Sequence, residues 1–262
     1  MEPYRYILGT VPVVVSIPHT GTYVPDAILE RFNEPAKQLP DTDWHVDKLY
    51  GFAQALGVHV LAATHSRYVV DLNRAPDGKS LYPGKFTTAL CPVTFFDGKP
   101  LYKEGQEPDE REIHLRVSAH WQPYHDKLQS LVTELGKGGK KVVVFDAHSI
   151  CSRVPALFDG ILPDMNLGTA DGGTADSDLV QRLVECCVHS PYSHVLNGRF
   201  KGGYITRHYG RPGHNIHAVQ LELAQHNYMQ ESPPFTYDDI KAAALQATLK
   251  RLLAILVAWS GS

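Results

Sequence analysis

The run Val142-Val143-Val144-Phe145 constrains this chain more than any other stretch. It follows Lys140-Lys141 and ends in Asp146-Ala147-His148-Ser149. It is too short for a buried helix and rich in β-branched residues, so it predicts a strand buried on both faces. Such strands sit in sheets covered by helices, where ligands bind beyond the carboxyl ends. Val11 to Ile17 (VPVVVSI) repeats the design and stops at Pro18-His19-Thr20-Gly21. Two strands that each deliver a histidine at the same end predict one shared site.

The rest of the chain alternates strand and helix patterns. A helix is expected from Trp44 to Leu56, with Gly57 as its stop and Asp41 and Asp43 at its start, where carboxylates cap free N–H groups. Val58 to Ala63 and Tyr68 to Leu72 read as strands, followed by a surface excursion over 75–105. Glu107 to Leu135 reads as helix with a break at Pro123. A Gly-containing loop over 160–175, a helix from Asp178 to Val188 and a glycine-rich basic segment from Asn197 to Gly213 come next. His217 to Leu223 (HAVQLEL) is a strand, and Thr236 is placed to cap a last helix from Tyr237 to Leu256. The order predicts a single α/β domain over residues 1–262, with a mixed, mostly parallel central sheet flanked by helices.

Composition narrows the function classes. A formal net charge of −3 gives no reason to expect nucleic acid or an anionic membrane as partner. Cys91, Cys151, Cys186 and Cys187 form no C-x-x-C pair, which argues against a zinc knuckle or a disulfide framework. The N-terminus carries no signal pattern, and the apolar run near Leu252 to Trp259 is shorter than a bilayer span. The expectation is a soluble cytoplasmic protein of undetermined oligomeric state. The 14 histidines are the compositional oddity.

His19 and His148 are the first candidates for chemistry. Neutral imidazoles at strand ends are ready metal ligands, and catalytic zinc often takes two His and one carboxylate. Asp41, Asp43 and Asp47 are the acids available, with Asp146 better placed to orient a histidine. Glu222, in an otherwise apolar strand, is costly to bury unpaired and suits a general base; it also suits an edge facing water. Arg67, Asn73 and Arg74 offer a planar fork and an amide for a carboxylate, or a surface pairing with Asp71 or Asp77. Lys201-Gly202-Gly203-Tyr204-Ile205-Thr206-Arg207 offers backbone N–H groups to an anion. No G-x-S-x-G and no H-E-x-x-H occurs, so a serine triad and a helix-borne zincin site are unsupported.

Taken in order, SIPHTG (16–21), DTDW (41–44), SRYVVDLNR (66–74), FDAHS (145–149), GGYIT (202–206) and HAVQLEL (217–223) resemble the N-formylglutamate amidohydrolase family. The resemblance runs over about residues 10–225. It implies a zinc-carboxypeptidase-like fold, related also to the aspartoacylases. It implies zinc-dependent hydrolysis of N-formyl-L-glutamate to formate and L-glutamate, a last step of one histidine-degradation route. By match of position it implies one Zn2+ per chain on His19, His148 and an aspartate, with Glu222 as the base. Asn73 and Arg74 match the pair that holds a substrate carboxylate in the relatives; Arg67, Tyr204, Thr206 and Arg207 complete the expected substrate-binding set. The carboxypeptidases carry their acidic ligand three residues after the first histidine, where this chain has Thr22. An aspartate of DTDW must therefore serve: Asp43, with Asp41 as the alternative. Two rival readings stay open. One is a deacylase or carboxypeptidase-like hydrolase for another N-acyl amino acid, distinguished by volume on the acyl side, since formyl needs almost none. The other is a non-catalytic metal- or ligand-binding protein, for which Glu222 would be dispensable.

Overall fold

The apolar run at Val142 continues through the polar residues that follow it. In the computed structural model, which describes residues 1–78 and 87–261, β4 spans Val142–Ile150 and every residue in it is buried. It pairs in parallel with β2 (Val13–Ile17) on one side and β7 (Ile216–Ala224) on the other. β3 (His59–Ala63) lies parallel beside β2, and β1 (Tyr4–Ile7) pairs antiparallel outside it. On the far side β5 (Met165–Gly168) runs antiparallel to β7, with β6 (His194–Leu196) parallel to β5. The order is β1-β3-β2-β4-β7-β5-β6, a mixed and mostly parallel sheet as the sequence predicts.

Alternation along these strands divides the labour. Val13, Val15, Ile17, Val143, Phe145, Ala147, Val219, Leu221 and Leu223 share one apolar cluster on one face. The α7 helix (Asp239–Ser260) covers that face with Leu245, Leu249, Leu252, Leu253 and Leu256, beside α5 (Ser177–Val188) and the short α2 (Val46–Leu49). Burying each such leucine contributes about 1.5–3 kcal/mol. The opposite face starts apolar, with Val14, Val144 and Ala218 under α4 (Gln122–Leu135). Two residues further along the same side chains become Ser16, Asp146 and Gln220, and then His148 and Glu222, which are register partners. Period-two geometry therefore carries the site on the α4 face, opposite α7, at the carboxyl ends of three parallel strands.

Several local expectations change. The stretch from Trp44 to Leu56 is broken into α2 and a 3-10 turn, Ala53–Leu56. α2 starts from His45 in the left-handed region (φ 62°), with no side-chain cap, so Asp41 and Asp43 do not cap it. Tyr68 to Leu72 is buried turn rather than strand. The break near Pro123 is a π-helical turn, Val117–Trp121, between α3 (Glu110–Arg116) and α4. A proline cannot donate to the carbonyl one turn back, and the wider turn absorbs that loss. β5, β6 and α6 (Tyr204–Tyr209) occupy segments with no clear period, and α1 (Asp26–Leu29) is a single turn. Part of the excursion expected over 75–105 lies outside the described residues.

The α7 helix has 22 residues and passes, by length and composition alone, as a candidate membrane span, longer than its apolar run suggests. Its leucines pack into the sheet. Its N-cap is Asp238, whose Oδ1 accepts from the N–H groups of Ile240 and Lys241, and not Thr236. Asp238→Ala should cost about 1 kcal/mol. Thr236→Ala should stay within about 0.5 kcal/mol. Urea unfolding of both variants checks the assignment.

Candidate active site

His19 leaves the end of β2 in a loop that needs glycine, because a Cβ on Gly21 would lie 2.2 Å from the His65 carbonyl oxygen beyond β3. The backbone carbonyl of His19 accepts from Asp43 N–H at 3.2 Å, which draws the 41–43 loop over the strand ends. His148 stands near the end of β4. The two imidazole rings are 4.8 Å apart between centroids. Asp43 Oδ2 lies 3.1 Å from His148 Nδ1 and 3.6 Å from His19 Nδ1, and accepts from Ser149 N–H at 3.1 Å. All three side chains are buried.

The other nitrogen of each histidine is also spoken for. His19 Nε2 is 2.7 Å from Asp71 Oδ1, and His148 Nε2 is 3.1 Å from Asp146 Oδ2. A carboxylate behind an imidazole fixes its orientation and tautomer and raises its basicity as a ligand. The Nδ1 atoms thus face Asp43 while the Nε2 atoms are anchored. One ligand atom each from His19, Asp43 and His148 lie within 4.8 Å of one another. Two imidazoles and one carboxylate are an ordinary donor set for a divalent ion with an open position, so these residues fit a catalytic metal. Asp41 lies elsewhere: its Oδ2 accepts from Phe96 N–H at 3.0 Å. Asp47 accepts from Thr20 Oγ1 at 3.0 Å.

Charge here is unbalanced. Asp43, Asp71 and Asp146 are buried, with Arg67 as the buried guanidinium among them. Arg67 donates to Asp71 at 2.7 Å and comes within 3.7 Å of Asp43. Burial works against ionisation of Asp43, but His19 and His148 outweigh it and hold the carboxyl well below the usual range. Asp71 is likewise held well below it, by His19, Arg67 and Arg74 against its burial. Burial alone would depress His148, yet Asp146 and Asp43 hold it well above the usual imidazole value. Burial pushes Glu222 up to about 8; His148 and Arg67 oppose this, while Asp43 and Asp146 add to it. A bound cation would favour its ionised form.

Glu222 sits beside the cluster, and Gln220 Nε2 donates to its Oε2 at 3.3 Å. Both line a cavity of ≈ 90 Å³ with His19 and His148. Arg67, Asn73 and Arg74 line it too, as do Arg199 and Phe96, which the sequence reading did not single out. The Asn73 amide is engaged inward: Nδ2 lies 3.0 Å from His148 Nε2, and Oδ1 accepts from Ile205 N–H at 2.8 Å. That close approach requires glycine at 203, where a Cβ would meet Asn73 Nδ2 at 2.3 Å. The Arg74 guanidinium donates to Thr88 and to the Asn73 carbonyl. The three α6 residues stand behind the cavity wall among the described residues. Tyr204 stacks on His208 at 4.9 Å, Thr206 donates to Asp146 at 3.2 Å, and Arg207 Nε donates to the Gly202 carbonyl at 2.9 Å. Asp71, which the sequence offers as a surface partner for these arginines, is buried instead, and an acid inside the apolar run YVVDL is costly to bury without such a partner.

A mixed α/β sheet thus gathers, at its carboxyl edge, a His/Asp/His group that could hold a metal ion and a buried glutamate beside it, an arrangement suited to a hydrolase. The N-formylglutamate amidohydrolase family model matches residues 11–229, and the chain belongs to that family. It is 50% identical over 252 residues to the N-formylglutamate deformylase of Pseudomonas putida, covering 96% of this chain and 94% of that one. It is 50% identical over 259 residues to the N-formylglutamate deformylase of Pseudomonas aeruginosa, covering 98% of this chain and 97% of that one. Among solved structures, the N-formylglutamate amidohydrolase of Ralstonia eutropha JMP134 is similar at a TM-score of 0.85 and 25% identity, over 99% of this chain and 98% of that one.

Metal analysis and calorimetry should find about one divalent ion per chain, lost in His19→Ala, Asp43→Ala and His148→Ala. Asp41→Ala should keep it. Asp71→Asn and Asp146→Asn should weaken metal affinity by about 10–100-fold, because they release the anchored nitrogen. Metal retained in Asp43→Ala and lost in Asp41→Ala would reassign the acidic ligand.

Proposed function

We propose that the chain, as one catalytic domain, hydrolyses N-formyl-L-glutamate to formate and L-glutamate, with zinc held by His19, Asp43 and His148. The observation that carries this is the His/Asp/His group with a buried glutamate as register neighbour of His148. The relatives' names supply the substrate. On this reading the enzyme works in the cytoplasm, at a last step of one histidine-degradation route.

A divalent ion bound there would polarise the formyl oxygen and lower the pKa of the attacking water. The protein's own groups do the rest. Glu222 takes the water proton and returns it to the departing amine nitrogen. Gln220 restrains one oxygen of that carboxylate, leaving the other for the proton. Among the described residues Arg67 Nε is buried with no hydrogen-bond partner, and the Arg67 side chain lines the cavity, so its guanidinium is placed to donate to the developing oxyanion. Arg74 and Arg199 present guanidinium forks for the two substrate carboxylates. Asn73 Nδ2 donates to Asp146 Oδ2 at 3.4 Å, so Asn73 acts on the anchor behind His148 rather than on the substrate alone. Thr206 supports the same anchor. Tyr204 and Arg207 shape α6 beside it.

The rival deacylase reading needs room for a larger acyl group. The cavity of ≈ 90 Å³ must also take the groups that face Arg74 and Arg199, which leaves little room for an acyl group beyond formyl. A formate-release assay on N-formyl-L-glutamate tests the proposal. Glu222→Gln should keep its metal and still bind substrate while kcat falls by about 10²–10⁴-fold. Near-native turnover would make Glu222 structural. A native protein that binds substrate and releases no formate would instead be a binding module. Arg74→Lys should raise KM without changing metal content, since lysine keeps the charge and loses the fork. Unchanged kinetics would remove Arg74 from substrate recognition.

A further inference from the structure

Beside the small catalytic cavity lies a much larger space to which the chemistry assigns nothing. It is a groove of ≈ 730 Å³, lined by Phe95, Pro100, Val154, Pro155 and Phe235 among others. The volume falls in the range of ordinary small-molecule sites, about 300–1,000 Å³. The two spaces share three lining residues, Phe96, Ser149 and Ile150. What separates a site of ≈ 90 Å³ from one of ≈ 730 Å³ is therefore a partition one side chain thick.

Each member of the partition is held. The Phe96 ring lies under the Arg67 guanidinium at 4.8 Å, and its backbone N–H is tied to Asp41. Ile150 closes β4 and is buried in an apolar cluster with Val154, against which Phe96 packs. The Ser149 hydroxyl is turned away, accepting from Tyr228 Oη at 2.7 Å. The walls are also chemically sorted. Arg74 and Arg199 suit the two carboxylates, while Phe96 and Ile150 offer only hydrocarbon. With the carbonyl carbon at the His/Asp/His group and Glu222, the group that can face hydrocarbon is the acyl substituent. In a formamide that substituent is hydrogen.

We propose that Phe96 and Ile150 form the wall that sets acyl-chain length, by closing the catalytic cavity off from the neighbouring groove. This rests on the deformylase reading of the site. Opening the wall should admit longer acyl groups to the same hydrolysis. Water oxygen bonds to the acyl carbon, the C–N bond breaks, and nitrogen leaves with a proton as the amine.

The experiment measures kcat/KM for N-formyl-, N-acetyl- and N-butyryl-L-glutamate in the wild type, Phe96→Ala and Ile150→Ala. The butyryl-to-formyl ratio cancels any general loss of activity. It should rise by about tenfold or more in either variant, the scale at which pocket space discriminates between acyl chains. Should Phe96→Ala fail to fold, Phe96→Val reads the same ratio. A ratio unchanged in both wall variants, with formate still released, overturns the proposal. So does a wild type that takes butyryl as readily as formyl. A wild type that releases no formate refutes the deformylase reading alone. The wall is then read by equilibrium binding of N-butyryl-L-glutamate, which should tighten at least tenfold in Phe96→Ala; unchanged binding refutes the wall as well.

Discussion

The buried carboxylate of Asp43, facing the Nδ1 atoms of His19 and His148 at 3.6 and 3.1 Å, is the interaction on which the site depends. Three carboxylates gathered out of water, with Arg67 among them, are costly unless cations meet them. The His148 imidazole, held well above its usual value by Asp146 and Asp43, supplies one such charge. On the proposed reading a divalent ion does so in the working enzyme, and Asp71 and Asp146 then serve as anchors rather than as excess charge. One arrangement thus explains why aspartates stand behind both histidines and why the loop carrying Asp43 is drawn over the strand ends.

The sheet makes this affordable to the fold by keeping the two tasks on different residues of the same strands. Val143, Phe145 and Ala147 build the core beneath α7, while Asp146 and His148 emerge on the other face. Because β2, β4 and β7 are parallel, their functional ends coincide without any long excursion of backbone. The glycines at 21 and 203 let neighbouring segments approach within a distance that a Cβ would forbid. The precision of the site therefore comes from packed strands and close backbone contact.

Much of this is legible in the sequence where periodicity is strong. The β-branched runs before His19 and His148, and the apolar neighbours of Glu222, place His148 and Glu222 on strands and His19 just past one, at the same edge. The DTDW loop misleads because an acid before an amphipathic stretch is equally consistent with a helix cap, and only tertiary contact separates the two uses. Asp71 pairs with Arg67 four residues before it, as the sequence allows, but its contact with His19 is distant in sequence and leaves no local signal. β5 and β6 are four and three residues long, too short to show a period. α6 is hidden in a glycine-rich segment whose helix is fixed by Asn73 rather than by its own propensity. Asp43 is the aspartate beside both histidines, while Asp41 is turned to Phe96, and the roles proposed for Arg199, Gln220 and Phe96 come from the cavity alone.

The central claim is that the two Nδ1 atoms and Asp43 form one metal site whose Nε2 atoms are held from behind. Anomalous diffraction at the zinc edge, on crystals of the metal-loaded protein, tests it most directly. The account predicts one peak per chain, about 2.0–2.2 Å from His19 Nδ1, His148 Nδ1 and an Asp43 oxygen. A peak bonded through Nε2, or one that engages Asp41 or Glu222 in place of Asp43, would contradict it.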